Sequence, residues 1–545
     1  MKATDKTTEN PGDVFSTETA GLADVERPSV VRLRDGDSLD MRIGAVRNRI
    51  AGDLLRMLAY NGSIPGPTLH VDQGSEITVH VTNDGDVEAT VHWHGLRLEN
   101  RYDGVPHETQ EPIPIGGTFS CKLQFPDAGF YWYHPHVRED FGLEMGLYGT
   151  IVVEPTDASY WPAVDRQLTI TLDDLLIEDG HVAPFLRSGP TYTAMGRFGN
   201  VMLTNGQTVY AGEAAVGEVV RLYVVNTANT RIFNFAVRGA RMKLVGGDSG
   251  RYEQETFVDE VLLSPSERAV IDVLFDTAGD ARLEHRTPDR VYDLGRFTVV
   301  DGPGGGGAAA SFDVLRMDPE LSNARRALDH DLQRPPDKVL AFFSRMPLLY
   351  GTEAIAAASY ACPMHPEVTA NEPGICPTCG MKLVRSDAAP VPAAESSQGT
   401  AHGGHDHGDG LEWEDLMPAI NRASDPSNMI WQLIDRQTGA ENGAIAWAFT
   451  VGDRVKIRLV NEMESDHPMH HPFHVHGAGR FLVLARDDRP EANLVWKDTV
   501  LVGAGQTVDI LLDVSNPGLW RAHCHIAEHA QSGMMFSFNV VRQPA

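Results

Sequence analysis

The sequence predicts an all-β protein of three related domains, on two recurring elements and the spacing of its turns. The first element is a glycine, a strand of alternating character and a closing asparagine. It occurs at residues 74–83 (GSEITVHVTN), 217–226 (GEVVRLYVVN) and 452–461 (GDRVKIRLVN). Self-similarity at domain spacing marks repeated units. The second element is residues 129–136 (GFYWYHPH), paralleled by residues 518–525 (GLWRAHCH). Its middle copy, residues 279–286 (GDARLEHR), keeps the glycine and loses the His-x-His. Short alternating runs broken by Gly, Pro and Asn are the patterning of β-sandwiches.

In chain order, residues 1–27 are polar and read as a flexible tail. Residues 28–157 form the first domain, and residues 158–302 form a second that serves as a spacer without His-x-His. Residues 303–334 are a linker, announced by the glycine-rich run up to Gly307. Residues 335–545 form the third domain, whose first strand starts near Pro335. Two segments interrupt it. Residues 360–384 are a foreign insert, and residues 385–410 are a Pro/Ala/Ser/Gly linker with His402, His405 and His407.

Composition narrows the function. With 46 basic and 75 acidic residues the formal charge is −29, which argues against nucleic acid and anionic membranes as partners. No apolar run approaches a membrane span, and the N-terminus carries no signal-peptide core. The protein is therefore either cytoplasmic or an exported protein whose signal is absent from this sequence. Five cysteines do not read as a disulfide framework. Cys121 lies in an alternating strand and reads as a buried free thiol.

The chemistry is concentrated in His523-Cys524-His525 and the residues after it. Strand side chains alternate faces, so Cys524 points one way and both histidines the other. If Cys524 binds one metal, His523 and His525 are placed for a different one. His529 and Met534 can return to the cysteine side, giving half of a His2Cys site with a weak axial methionine, the ligand set of a blue copper centre, whose second histidine must come from elsewhere. Three further clusters supply the missing ligands: His92-Trp93-His94, His134-Pro135-His136 and His471-Pro472-Phe473-His474-Val475-His476. A lone histidine is more often a satisfied core or surface residue. Four clusters of His-x-His density resist that reading.

These four clusters, in order and spacing, resemble the copper motifs of the multicopper oxidases, the family of laccases and bacterial copper-resistance oxidases. The resemblance runs from about Val30 to the C-terminus. It implies three cupredoxin-like Greek-key β-barrels, with the first and third meeting around the metals. By that resemblance His471, Cys524, His529 and Met534 bind the type 1 copper. His92 and His474 bind the type 2 copper. His94, His134, His136, His476, His523 and His525 hold the type 3 pair. The cofactor set is then four copper ions per chain: one type 1, one type 2 and two type 3. The resemblance also favours a periplasmic or secreted protein.

The resemblance implies a laccase-like reaction. Small reducing substrates, phenols or aromatic amines, give single electrons to the type 1 copper near the surface, with His471 or His529 as the exit edge of that site. Electrons pass through Cys524 to His523 and His525, and O2 is reduced to water. Asp103 occupies the position of an acidic proton relay in similar enzymes, although Asp-Gly is also an ordinary turn. Many bacterial relatives carry a glutamate directly after the last type 1 histidine, where this chain has Ala530. That departure puts a second proton route in doubt.

The insert holds Cys362-x-x-His365 and Cys376-x-x-Cys379, a four-ligand set suited to a tetrahedral ion. It resembles the short heavy-metal-binding domain appended to copper and heavy-metal transport proteins. Met364 and Met381 add soft sulfur suited to Cu(I); a structural zinc is the other reading. The insert raises an alternative function, a metallo-oxidase acting on Cu(I) in copper tolerance. A copper-storage or copper-delivery protein would not need a cysteine bridging two sites, and a copper nitrite reductase lacks the paired type 3 histidines. The loop Glu462–His470 either adds a metal contact or positions His471.

Overall fold

The computed structural model describes residues 14–302, 307–350, 360–362, 368–370, 374–377, 382–385 and 410–543. The three copies of the first repeated element occupy the same place in three sheets. Glu76–Asp84 lies between Ser38–Ile50, parallel, and Thr118–Gln124, antiparallel. Glu218–Asn226 lies between Arg166–Leu175, parallel, and Arg268–Phe275, antiparallel. Arg454–Asn461 lies between Lys338–Arg345, parallel, and Thr507–Val514, antiparallel. Parallel neighbours cannot be joined by a tight turn, so the chain must cross between sheets each time.

Each of these sheets is one of a pair. The N-terminal pair has four and five strands; the middle and C-terminal pairs each have six and five. Burial follows the pleat where one face meets water: in Glu76–Asp84 only Ile77, Val79, Val81 and Asn83 are buried. Its middle counterpart is buried on both faces, because Val219 and Leu274 also pack on Ala308 and Phe312. Cys121 is buried and unpaired in Thr118–Gln124, as the alternation implies.

The second element supplies the other sheet of each pair. Gly129–His134 pairs with His92–His94, setting His92 opposite His134. Gly518–Cys524 pairs with His471–Val475, setting His474 opposite His523. The middle copy, Gly279–Arg286, pairs with Phe233–Arg238. Its His285 accepts the Asn234 N–H on Nδ1 and stacks on Tyr292, and among the described residues it has no histidine partner.

The linker beyond Gly307 is not a bare tether. Helices Pro319–Ala327 and Asp329–Gln333 run along it. Asp318 caps the first by accepting the Leu321 N–H, and Pro319 opens it. Leu321 and Leu328 pack on Leu482, Leu484, Leu494 and Leu511 of the C-terminal barrel. Among the described residues no helix is long and apolar enough to cross a membrane.

Candidate metal centre

Strand pairing and alternation bring the four histidine clusters to one interface and divide them between two sites. Cys524 Sγ lies 3.4 Å from His471 Nδ1 and 3.7 Å from His529 Nδ1. His471 reaches it from the adjacent strand and His529 from the short helix Ala527–Gln531. Met534 is fully buried beside them; its N–H donates to His529 O (3.1 Å) and its carbonyl accepts the Cys524 N–H (3.2 Å). On the opposite face of the same strand, His523 Nε2 lies 3.1 Å from His476 Nε2. The division expected from alternation is therefore present.

Burial pushes the Cys524 thiol up from its ordinary range. A thiolate is disfavoured there unless a cation shares the pocket. His471 and His529, the expected exit edge of that site, are both buried. Phe342 stacks on the His471 ring at 5.2 Å between centroids, and Trp431 lies 4.0 Å over the His529 ring.

Eight histidines form the second site: His92, His94, His134, His136, His474, His476, His523 and His525, all buried. Six of them face a partner that can only accept a hydrogen bond, which settles the tautomer. His92 Nδ1 donates to Asp103 O (2.7 Å), and His476 Nδ1 donates to Asp103 Oδ2 (2.7 Å). His134 Nδ1 donates to Pro135 O, His474 Nδ1 to Asp498 O and His523 Nδ1 to Cys524 O. His94 is turned the other way: its Nε2 donates to Asp498 Oδ1 (3.0 Å). The remaining nitrogen of each carries a lone pair inward. His92 Nε2, His94 Nδ1, His134 Nε2, His136 Nε2 and His474 Nε2 have no hydrogen-bond partner. The facing His476 and His523 nitrogens both bear lone pairs, a repulsive arrangement that a shared cation relieves.

Burial also lowers the proton affinity of His94, His134, His136, His474, His476, His523 and His525. Neutral imidazoles with one outward N–H are the form that ligates transition metals. The donor set thus fits copper at both sites.

Three buried ionisable groups at this site, Arg268, Asp498 and Glu139, carry little local sequence signal. Asp498 holds His94 and His474 and is itself paired with Arg268. Burial pushes its carboxyl up, but Arg268 outweighs that and holds it at about 2. Glu139 lies 3.4 Å from His134 Nδ1, 3.6 Å from His136 Nδ1 and 3.7 Å from His525 Nε2. Neither of its oxygens has a hydrogen-bond partner, and burial raises it well above the usual carboxylate range. A carboxylate therefore stands beside the histidines although residue 530 is alanine. Its only sequence signal was its position three residues after His136.

Of the insert, Cys362 and Cys376 are buried together with Leu383. His365 and Cys379 lie outside the described residues, as do Met364, Met381, His402, His405 and His407. Lys382 of the insert pairs with Asp466 (2.6 Å), in the loop before His471. That loop is pinned: Asp466 also accepts the Met346 N–H, and Ser344 bonds both N–H and C=O of His467. This agrees with a loop that positions His471.

Residues 45–158 and 417–544 match multicopper oxidase family models, and residues 359–385 match the heavy metal binding domain. A copper resistance protein A homolog of Pseudomonas syringae pv. tomato is 25% identical, over 92% of this chain and 91% of its own. Laccase-1 of Botryotinia fuckeliana is 26% identical, over 88% and 78%. The structure of a laccase-like multi-copper oxidase from Ochrobactrum sp. superposes with a TM-score of 0.65 at 20% identity, over 95% of this chain and all of that one. With two family matches spanning both ligand-bearing barrels, the chain belongs to the multicopper oxidases and is a copper-dependent oxidoreductase.

Proposed function

We propose that the protein is a laccase-type oxidase that couples one-electron oxidation of phenols or aromatic amines to reduction of O2 to water. The observation that carries this is Cys524 between His523 and His525, with its sulfur on one ligand set and the imidazoles on the other. In this reading His471, Cys524, His529 and Met534 hold a type 1 copper, and His92 and His474 hold a type 2 copper. His94, His134, His136, His476, His523 and His525 hold a type 3 pair. Copper in these positions supplies one-electron redox chemistry and the reduction of O2.

The chain's own residues do the rest. Cys524 and its two neighbours connect the ligand sets through a single stretch of backbone. Phe342 and Trp431, themselves buried, exclude water from the rings of His471 and His529. Asp103, buried with one oxygen on His476 and the other without a hydrogen-bond partner, is placed to pass protons to the cluster. On the family resemblance, the enzyme works in the periplasm or outside the cell.

A second reading, a metallo-oxidase oxidising Cu(I), is supported by the Lys382–Asp466 contact, which docks the insert beside the loop leading to His471. The insert residues Cys362, His365, Cys376 and Cys379 would hold copper or zinc. Steady-state rates on a phenol and on Cu(I), before and after deletion of residues 360–410, separate the two. The laccase reading expects phenol oxidation to survive and to be the faster reaction. Selective loss of a dominant Cu(I) oxidation would replace it with the second reading.

A further inference from the structure

We propose that Arg268, from the middle barrel that contributes no copper ligand, is a positioning residue for the eight-histidine cluster: it fixes Asp498 in the orientation that turns Nδ1 of His94 inward. The inference rests on the copper reading of that cluster.

Arg268 is fully buried at the start of strand Arg268–Phe275. Its Nη1 donates to Asp498 Oδ1 (2.7 Å) and its Nη2 to Asp498 Oδ2 (2.5 Å). This fork-to-fork pairing restricts the carboxylate plane as well as its position. The same guanidinium donates from Nε to Phe130 O of the N-terminal barrel (3.1 Å) and from Nη1 to Ser266 O of its own barrel (3.0 Å). One side chain thus ties together all three barrels at the point where two of them share the metal site.

The consequence falls on His94. Five other histidines of the cluster point Nδ1 outward to an acceptor and Nε2 inward, whereas His94 does the reverse. That inversion needs an acceptor opposite Nε2, and Asp498 Oδ1 provides it. The backbone carbonyl of Asp498 meanwhile accepts from His474 Nδ1 (2.8 Å). The two rings are held stacked, 3.7 Å apart and 19° from parallel. A shift of Asp498 therefore moves two ligands together.

An independent observation points to the same pair. Gly95 follows His94 with φ +85°, and a Cβ there would lie 2.5 Å from Asp498 Oδ2 and 2.8 Å from Arg268 Nη2. The glycine leaves the room that the ion pair occupies. The surrounding charges extend the clamp. Arg268 N–H donates to Asp248 Oδ1 (2.9 Å), and Lys497 bridges Asp248 (3.2 Å) and Glu267 (3.1 Å). Two cations then face three carboxylates, leaving one net negative charge beside a site for cations.

The middle barrel contains its own control. Arg221 makes a comparable forked pair with Asp272 through Nε and Nη2 (2.8 and 2.9 Å), equally buried, and among the described residues neither bonds to a histidine of the cluster. The test compares holoprotein of the parent, Arg268→Lys and Arg221→Lys. Lysine keeps the charge and loses the fork. The readouts are copper retained against a chelator, the blue absorption, and the paramagnetic resonance of the non-blue copper. Arg268→Lys should keep the blue absorption, shift the non-blue resonance and retain non-blue copper about tenfold less tightly, the usual effect of losing an outer-shell partner. Arg221→Lys should match the parent in all three. If Arg268→Lys does not fold, Arg268→Gln is read by the same criteria. A parent without blue absorption would overturn the copper reading itself. A normal parent with Arg268→Lys indistinguishable from Arg221→Lys would overturn the role of Arg268 alone.

Discussion

Replacing Asp103 with asparagine removes one negative charge from between His92 and His476 and leaves the side chain the same size. Asp103 is buried, and its Oδ2 accepts from His476 Nδ1 at 2.7 Å. A hydrogen bond to a charged group contributes about 1.5–3 kcal/mol net and a neutral one about 1, so the substitution forfeits about 0.5–2 kcal/mol. Its backbone carbonyl still holds His92, so that ligand stays oriented. Loss of such outer-shell partners lowers metal affinity or activity by about 10–100-fold. Asparagine has no carboxyl group and cannot serve as a proton relay. We therefore predict O2 consumption about tenfold slower or worse at saturating electron donor, with copper per chain close to the parent's. The assay is O2 uptake and copper content on the same sample. Turnover within twofold of the parent at full copper content would refute a relay at Asp103.

Two further predictions concern the copper-free protein. Gly104 has φ +84°, and a Cβ there would lie 2.2 Å from Val91 O, just before His92. Gly104→Ala should lower the thermal midpoint, since a left-handed non-glycine residue alone is strained by about 1–3 kcal/mol; an unchanged midpoint would contradict the packing described. Glu528 is raised from 4.5 to about 7 by burial, reinforced by Asp140. Its folded state binds a proton more tightly than the unfolded chain. Its contribution is therefore most favourable below pH 4.5, declines as pH rises to about 7 and is constant above, a change of about 3 kcal/mol. Glu528→Gln should flatten that segment of the stability-against-pH curve, and an unaltered slope between those limits would argue against the shift.

The candidate metal ligands were legible because the chemistry is local. Cys524 against His523 and His525 is a statement about strand alternation, and it holds in three dimensions without help from the rest of the fold. The repeated strands were legible for the same reason: Glu76–Asp84, Glu218–Asn226 and Arg454–Asn461 recur in pattern and in sheet position. What escaped the sequence depends on contacts between distant segments. Arg268 and Asp498 are 230 residues apart, and nothing near either marks the pair. Glu139, at the start of the short helix Glu139–Glu144, comes within 3.4, 3.6 and 3.7 Å of His134, His136 and His525, a meeting that depends on the path of the chain and not on a local motif. The burial of His471 and His529 beneath Phe342 and Trp431 escaped for the same reason, because the covering rings come from other strands.

The central claim is that Cys524 alone on its face serves one metal while its neighbours serve others. The most direct measurement is the visible spectrum and copper content of Cys524→Ser against the parent. The account predicts a parent with the intense blue thiolate absorption, and a variant that loses it together with about one copper in four while the histidine-bound copper remains. An unchanged spectrum in the variant, or a parent that binds copper with no blue absorption, would contradict it.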